Sequence, residues 1–450
     1  MKRKTPLDRR VARRLVSVLT LALAGSAASA QIRLPSINLP GPGLGQVGGD
    51  LLREPLGRLP VVREVPSVQA LRQIQVRSLL RQHRDVLEAD PRGEPVVRQE
   101  ILAWSPSPAG LAAARAAGLA VLEQRPLEGL DAVMVVLRVP AGVAIAAALA
   151  QLRALDPAGT YDFNHVYTGS GAAGSGAAGS GADGAPSAKV LPAPSRQHGA
   201  TAVGLVDSGV DAGHDVFADA AVSRWGCGNV LHPDAHGTAV AALMVGQSTH
   251  FRGVAPKAHL YAADIYCNSG TGGSADKIAG ALAWMAREQV PVINMSIVGP
   301  PNQTLERAVG AMVKRGYLLV AAVGNDGPAA DPLYPASYPG VVGVSAVDKR
   351  GRVLPEAARG KQVMFAAPGH HMVSASVGAP PYKPVRGTSF AAPIVAALLA
   401  GQHVRPDTAA AARAISTLAT KAAGQRPGEV SNETGLGIVG QQFRVEPGSL

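Results

Sequence analysis

Cysteine is nearly missing: Cys227 and Cys267 are the only two in 450 residues. That excludes a disulfide-stapled scaffold and leaves one disulfide or two buried thiols as alternatives. Aromatic residues are scarce at 4%. No basic stripe interleaves with them, so nucleic-acid binding is not expected. No apolar run is long enough for a mature membrane span. No spacing of Cys, His and carboxylates completes a zinc site, and His370-His371 reads as two polar residues on a surface loop. No loop offers a run of oxygen ligands for calcium. No cofactor or metal is therefore expected.

Hydrophobic residues are plentiful at 47%, so a large core is affordable. The net charge of +11 is misleading, because more than half of the excess lies in the first thirty residues. Those residues read as an export signal. Lys2, Arg3, Lys4, Arg9, Arg10, Arg13 and Arg14 precede the short apolar run Leu15 to Ala24. Ala28-Ser29-Ala30 then fits a small-residue cleavage site. The expected location is secreted or periplasmic. Residues 31–94 form a Pro/Gly-rich segment followed, from Ser67 to Ala89, by apolar residues at helical spacing. Residues 95–168 alternate as β-α-β-β-α-β, a small α+β unit without clustered catalytic residue types. Residues 169–196 repeat Gly, Ser and Ala, a flexible and cleavable tether. Residues 197–450 form the last domain.

That domain alternates apolar strands with helical runs. Ala202 to Val206, Leu260 to Ile265, Val290 to Met295, Leu318 to Val323, Val341 to Val347 and Val363 to Ala366 read as strands. The fold class is α/β, a parallel sheet with helices on both faces, preceded by the small α+β unit. In such sheets functional side chains gather at the carboxyl ends of strands.

Four motifs fall at such places. Asp207-Ser208-Gly209 ends a strand, His236-Gly237-Thr238 opens a helix, and Gly324-Asn325-Asp326-Gly327 follows another strand. Gly387-Thr388-Ser389-Phe390-Ala391-Ala392-Pro393 is a small-residue turn running into an apolar helix. Each motif alone is an ordinary turn or cap. Together they supply what a hydroxyl nucleophile needs. A His takes its proton, an Asp holds the tautomer of that His, and an amide donor meets the oxyanion.

These motifs, in the order Asp, His, Ser, resemble the signatures of subtilisin-like serine proteases. Gly253-Val254-Ala255-Pro256, Asn294-Met295-Ser296 and Ala366-Ala367-Pro368-Gly369 add to the likeness. The resemblance covers roughly residues 197–440. It implies Ser389 as nucleophile, His236 as general base then acid, Asp207 as its orienting group and Asn325 in the oxyanion hole. It implies that Ser296, Ile297, Val298 and Gly299 form a strand pairing with the substrate backbone. Val298 stands where the family often has Gly, which points to small or medium apolar side chains before the cut. It implies neighbouring strands before Cys227 and Cys267, hence a disulfide between them.

The resemblance also implies that residues 95–168 are a propeptide, acting as intramolecular chaperone and inhibitor. Its last strand, Asn164-His165-Val166-Tyr167, would then lie in the cleft like a product. The implied activity is that of a self-processing, monomeric endopeptidase acting on polypeptides. Two other classes compete: a non-catalytic binding protein shut by its own N-terminal unit, and an esterase using the same triad. The missing Gly-x-Ser-x-Gly elbow around Ser389 counts against the esterase.

Overall fold

The computed structural model describes residues 68–169, 201–424 and 428–448. The expected export signal at 1–30, the Pro/Gly-rich stretch at 31–66 and, beyond Gly169, the tether lie outside the described residues. No described helix is long and apolar enough to cross a membrane.

Helical spacing over 67–89 overstates the first helix. Helix α1 is Val68–Gln82, and after a turn strand β1, Leu87–Ala89, pairs with Pro95, Val96 and Val97 of β2, Pro95–Trp104. Cross-strand pairing with the next segment overrides local periodicity here. The antiparallel sheet thus begins before residue 95. It continues through α2 (Pro108–Ala116), β3 (Ala120–Leu127), β4 (Ala132–Arg138), α3 (Ile145–Leu155) and β5 (Thr160–Gly169). The strand order is β5-β2-β4-β3.

Successive residues of a strand face opposite ways, and β4 is apolar on both faces. Val135 and Leu137 pack with Leu149 and Leu152 of α3. Met134 and Val136 pack the other way, in one core with residues of the larger domain. Complete burial of side chains this size stabilises by about 1.5–3 kcal/mol each.

The larger domain begins with β6 (Ala202–Asp207), β7 (Val222–Trp225), α4 (Ala235–Val245), β8 (His259–Asp264), β9 (Gly273–Ser274) and α5 (Ala275–Arg287). It continues with β10 (Val292–Met295), β11 (Ile297–Val298), α6 (Gln303–Lys314), β12 (Leu318–Ala322), β13 (Val342–Val347) and β14 (Val363–Pro368). A hairpin of β15 (Met372–Ala375) and β16 (Tyr382–Val385) precedes α7 (Thr388–Ala400) and α8 (Thr408–Ala419). Seven strands form one parallel sheet in the order β14-β13-β12-β10-β6-β8-β7.

The apolar runs are uninterrupted because both faces are covered. Val203 and Leu205 of β6 pack in the core with α4 and α7. Ala202 and Val206 pack in the core with α5 and α6. From β6 the chain builds β7 and β8 on one side, then crosses to β10 and β12 on the other. The carboxyl ends of β6, β10 and β12 therefore meet at the switch point of the topology. Apolar runs alone mark neither β7 nor the hairpin, whose short strands alternate too briefly to stand out; the strand before Cys227 is expected only from the family likeness.

Cys227 follows β7 and Cys267 follows β8, which are neighbouring parallel strands. The two are joined as a disulfide across a sequence separation of 40. Closing a loop of that length restricts the unfolded chain by about 2–4 kcal/mol. Replacing both cysteines by serine is expected to lower stability by that amount in urea unfolding. Unchanged stability would show that the bond constrains nothing in the unfolded chain.

Candidate active site

Asp207 is the last residue of β6 and is wholly buried. Its Oδ1 accepts from the Ser208 N–H at 2.7 Å and from His236 Nδ1 at 2.7 Å. Burying a carboxylate is costly unless such donors meet it.

His236 lies in the first turn of α4. Asp234 caps that helix and accepts the His236 backbone N–H at 2.8 Å. The Ser208 hydroxyl donates to Asp234 at 2.7 Å and accepts the Gly237 N–H at 3.0 Å. This lattice ties the helix start to the end of β6. Gly237 permits the approach, because a Cβ there would sit 2.2 Å from the Ser208 carbonyl oxygen. Asp234 and Ser208 were not singled out from sequence. An Asp two residues before a helix-opening His was the available signal.

With Nδ1–H donated to Asp207, the neutral imidazole presents a lone pair at Nε2. Among the described residues Nε2 has no hydrogen-bond partner. Burial opposes the imidazolium, but the Asp207 charge, the Asp207 hydrogen bond and Asp234 outweigh it. The His236 pKa is therefore held above its ordinary value.

Helix α7 begins at Thr388, and Thr388 and Ser389 are fully buried. Gly387 precedes it with φ of 125°, a conformation that L side chains rarely adopt. Pro393 is not the helix start but lies inside α7. A proline has no N–H to give the carbonyl four residues earlier. That carbonyl belongs to Ser389, and the Ser296 hydroxyl donates to it at 2.8 Å. The Ser389 hydroxyl lies 3.4 Å from the Ser296 carbonyl oxygen. Ser296 and Ser389 therefore bond reciprocally. Asn294 supports them by donating to the Ser296 hydroxyl at 2.9 Å.

Asn325 follows β12. Its Oδ1 accepts the Thr388 N–H at 3.1 Å, while the Thr388 hydroxyl accepts the Gly324 N–H at 3.2 Å. That fixes which way the amide points. Its Nδ2 is buried and has no partner among the described residues.

Residues 296–299 line a strand slot. In β11, Ile297 pairs with Gly169 and Val298 with Thr168. On the other side of β5, Ser274 pairs with Val166 and Gly273 with Tyr167. The chain's own strand thus lies antiparallel between β9 and β11. Val298 is buried against it. Tyr167 lies over Gly299 and donates its hydroxyl to the Pro300 carbonyl at 2.8 Å. The slot ends at the imidazole: a Cβ on Gly169 would stand 3.4 Å from His236 Nε2.

Residues 198–437 match the family model described as the subtilase family. M-protease of Shouchella clausii (strain KSM-K16) is 38% identical over 168 residues, 37% of this chain and 43% of that protein. Subtilisin DY of Bacillus licheniformis is 33% identical over 202 residues, 43% of this chain and 73% of that protein. The solved structure of fervidolysin from Fervidobacterium pennivorans superposes with a TM-score of 0.61 over 79% of this chain and 62% of that one. At 20% identity it bears on the fold alone. The family model spans more than half of the chain, and its limits enclose the parallel sheet and the four strand-end motifs: the chain belongs to the subtilase family.

Proposed function

We propose that the protein is an exported, self-processing serine endopeptidase that cuts polypeptides through an acyl-enzyme. The observation that carries this reading is the Asp207–His236 pair at 2.7 Å, beside two groups that have no hydrogen-bond partner among the described residues, His236 Nε2 and Asn325 Nδ2. One can take a proton and the other can donate to an oxyanion. In the proposed reaction Ser389 Oγ attacks the scissile carbonyl and its proton passes to His236 Nε2. Asn325 Nδ2 donates to the oxyanion, with the backbone at the start of α7. His236 then protonates the leaving amine, and a water attacks the ester with His236 again as base.

The filled slot supports an inhibitory role for residues 95–168. Strand β5 supplies the backbone partner that β9 and β11 would offer a substrate. In this reading the chain cuts itself in the tether beyond Gly169, and the released unit continues to compete for the cleft. A basic segment and short apolar run at 1–30 support export.

The test is labelling with a fluorophosphonate across pH, using the product secreted from the full chain. Label on Ser389 is expected. His236 must be neutral to act as base, and its pKa is raised. The labelling rate should therefore climb with pH through a midpoint above the ordinary 6.5. Absence of label on Ser389 would overturn the endopeptidase reading. A midpoint at or below 6.5 would refute the electrostatic role of Asp207.

A further inference from the structure

The two walls of the slot are built differently. The chain's own strand lays Gly169 and Thr168 against β11, and Tyr167 and Val166 against β9. Gly169 lies at the imidazole. Counting back from it, β11 meets the first two residues and β9 the third and fourth. Ile297 and Val298 bury β11 through their own side chains. β9 follows Asn268-Ser269-Gly270-Thr271-Gly272 and begins at Gly273. Glycine is required there by close approach. A Cβ on Gly272 would stand 2.4 Å from the Tyr167 carbonyl oxygen, and one on Gly273 2.2 Å from Ile265 Cδ1. Gly270, Gly272 and Gly273 have no side chains to pack, and glycine loses the most conformational freedom on ordering. Such a wall keeps its line only when both ends are held.

Helix α5 holds one end. Ser274 immediately precedes it, and Ala275 and Ile278 are fully buried. The turn after β8 holds the other. Asp264 Oδ1 accepts the Tyr266 and Cys267 N–H groups, each at 2.9 Å, and the Ser269 N–H donates to the Tyr266 carbonyl at 2.9 Å. The disulfide then ties Cys267 to Cys227, in the turn after β7. The sulfurs of Cys227 and Cys267 flank the Asp264 carbonyl oxygen at 3.5 and 3.8 Å. Gly226 permits this, because a Cβ there would stand 2.2 Å from the same oxygen. Cys227 and Cys267 have φ of 56° and 54°. That left-handed region is unfavourable for a residue with a Cβ, and the bond keeps both residues in it. Asp207 is held independently, by the β6–β8 ladder from Ala202 to Asp207.

We infer that the Cys227–Cys267 disulfide positions the β9 wall, and so sets how tightly the third and fourth substrate residues before the cut are bound. This inference rests on the endopeptidase reading above. The role is one of positioning, exerted through Gly273 and Ser274. With the bond open, Cys227 and Cys267 relax out of the left-handed region and the glycine-rich wall loses its fixed line. An extended substrate then has to order β9 as it binds. A substrate that reaches only β11 meets an unchanged site, and the triad keeps its geometry.

The test compares the product secreted from the full chain with the variant carrying Cys227→Ser and Cys267→Ser. Two peptide substrates are used, one with two residues before the cut and one with four. In a second arm a small dithiol opens the bond in the wild type. It gives two electrons and two protons to the sulfur pair and becomes a disulfide itself; reoxidation after its removal should restore the starting kinetics. In both arms KM for the longer substrate is expected to rise about tenfold, the worth of the backbone hydrogen bonds to one wall. Its kcat, and kcat/KM for the shorter substrate, should stay within about twofold, the pattern of lost uniform binding. An unchanged KM for the longer substrate overturns the inference. So do equal losses on both substrates, which would mark a general loosening of the site. Loss of the native circular-dichroism spectrum in both arms also overturns it, by assigning the bond to the fold as a whole. Failure of the wild type to take the fluorophosphonate on Ser389 is a different result, and overturns the endopeptidase reading itself.

Discussion

Ser389→Ala is expected to lower turnover by about 10⁶-fold and to leave the precursor uncut. The two effects share one cause. Without Oγ no acyl-enzyme forms, and water must attack the peptide carbonyl unaided. The backbone is little disturbed, since alanine is favourable within a helix and the Ser389 carbonyl keeps its bond from Ser296. The measurement is peptide turnover together with the size of the secreted product. An unprocessed chain, folded by circular dichroism, is the expected product. The wild-type processed form appearing from the alanine variant would mean that another protease makes the cut.

Asp207→Asn is expected to lower kcat by about 10⁴-fold with the site's shape retained. The carboxylate accepts from His236 Nδ1 at 2.7 Å. An asparagine amide can turn its NH₂ toward the ring and donate instead. Nδ1 would then become the acceptor and Nε2 would carry the proton, which is the wrong tautomer for a base. The Ser208 N–H also donates to that same oxygen, Asp207 Oδ1. That bond holds an acceptor beside the imidazole, so an amide that keeps its oxygen there loses the charge that stabilises the imidazolium, and one that turns loses the tautomer; either orientation lowers kcat. Steady-state kinetics on a peptide reads the effect, and fluorophosphonate labelling should slow in parallel. A loss below tenfold would show that Asp207 does not set the tautomer.

Much of the fold was legible because its signals are local. The apolar runs of β6, β8, β10, β12, β13 and β14 announced a sheet covered on both faces. The alternation of the α+β segment announced its strands and helices. Asp207, His236, Asn325 and the turn before Ser389 stood out as polar residues at the ends of apolar elements. Boundaries failed where partners decided them. Leu87 to Ala89 reads as the end of a helix until β2 is beside it. Pro393 reads as a helix start until Ser296 is seen satisfying the carbonyl that Pro393 leaves open. Trp225 and the strand it ends are too short to carry a period.

From the sequence alone came the α/β class, the order of its elements, and the residue types capable of nucleophilic chemistry. Those are properties of composition and spacing within a dozen or so residues. Tertiary structure decided which of them meet. The reciprocal Ser296–Ser389 bonds span 93 positions, and the Arg72–Asp326 contact crosses the tether. It also decided that β5 occupies the slot between β9 and β11, and that Met134 and Val136 face the larger domain while Val135 and Leu137 face α3. Local pattern shows that a side chain is apolar or charged. Only the packed chain, through close contact and the exclusion of water, selects its partner.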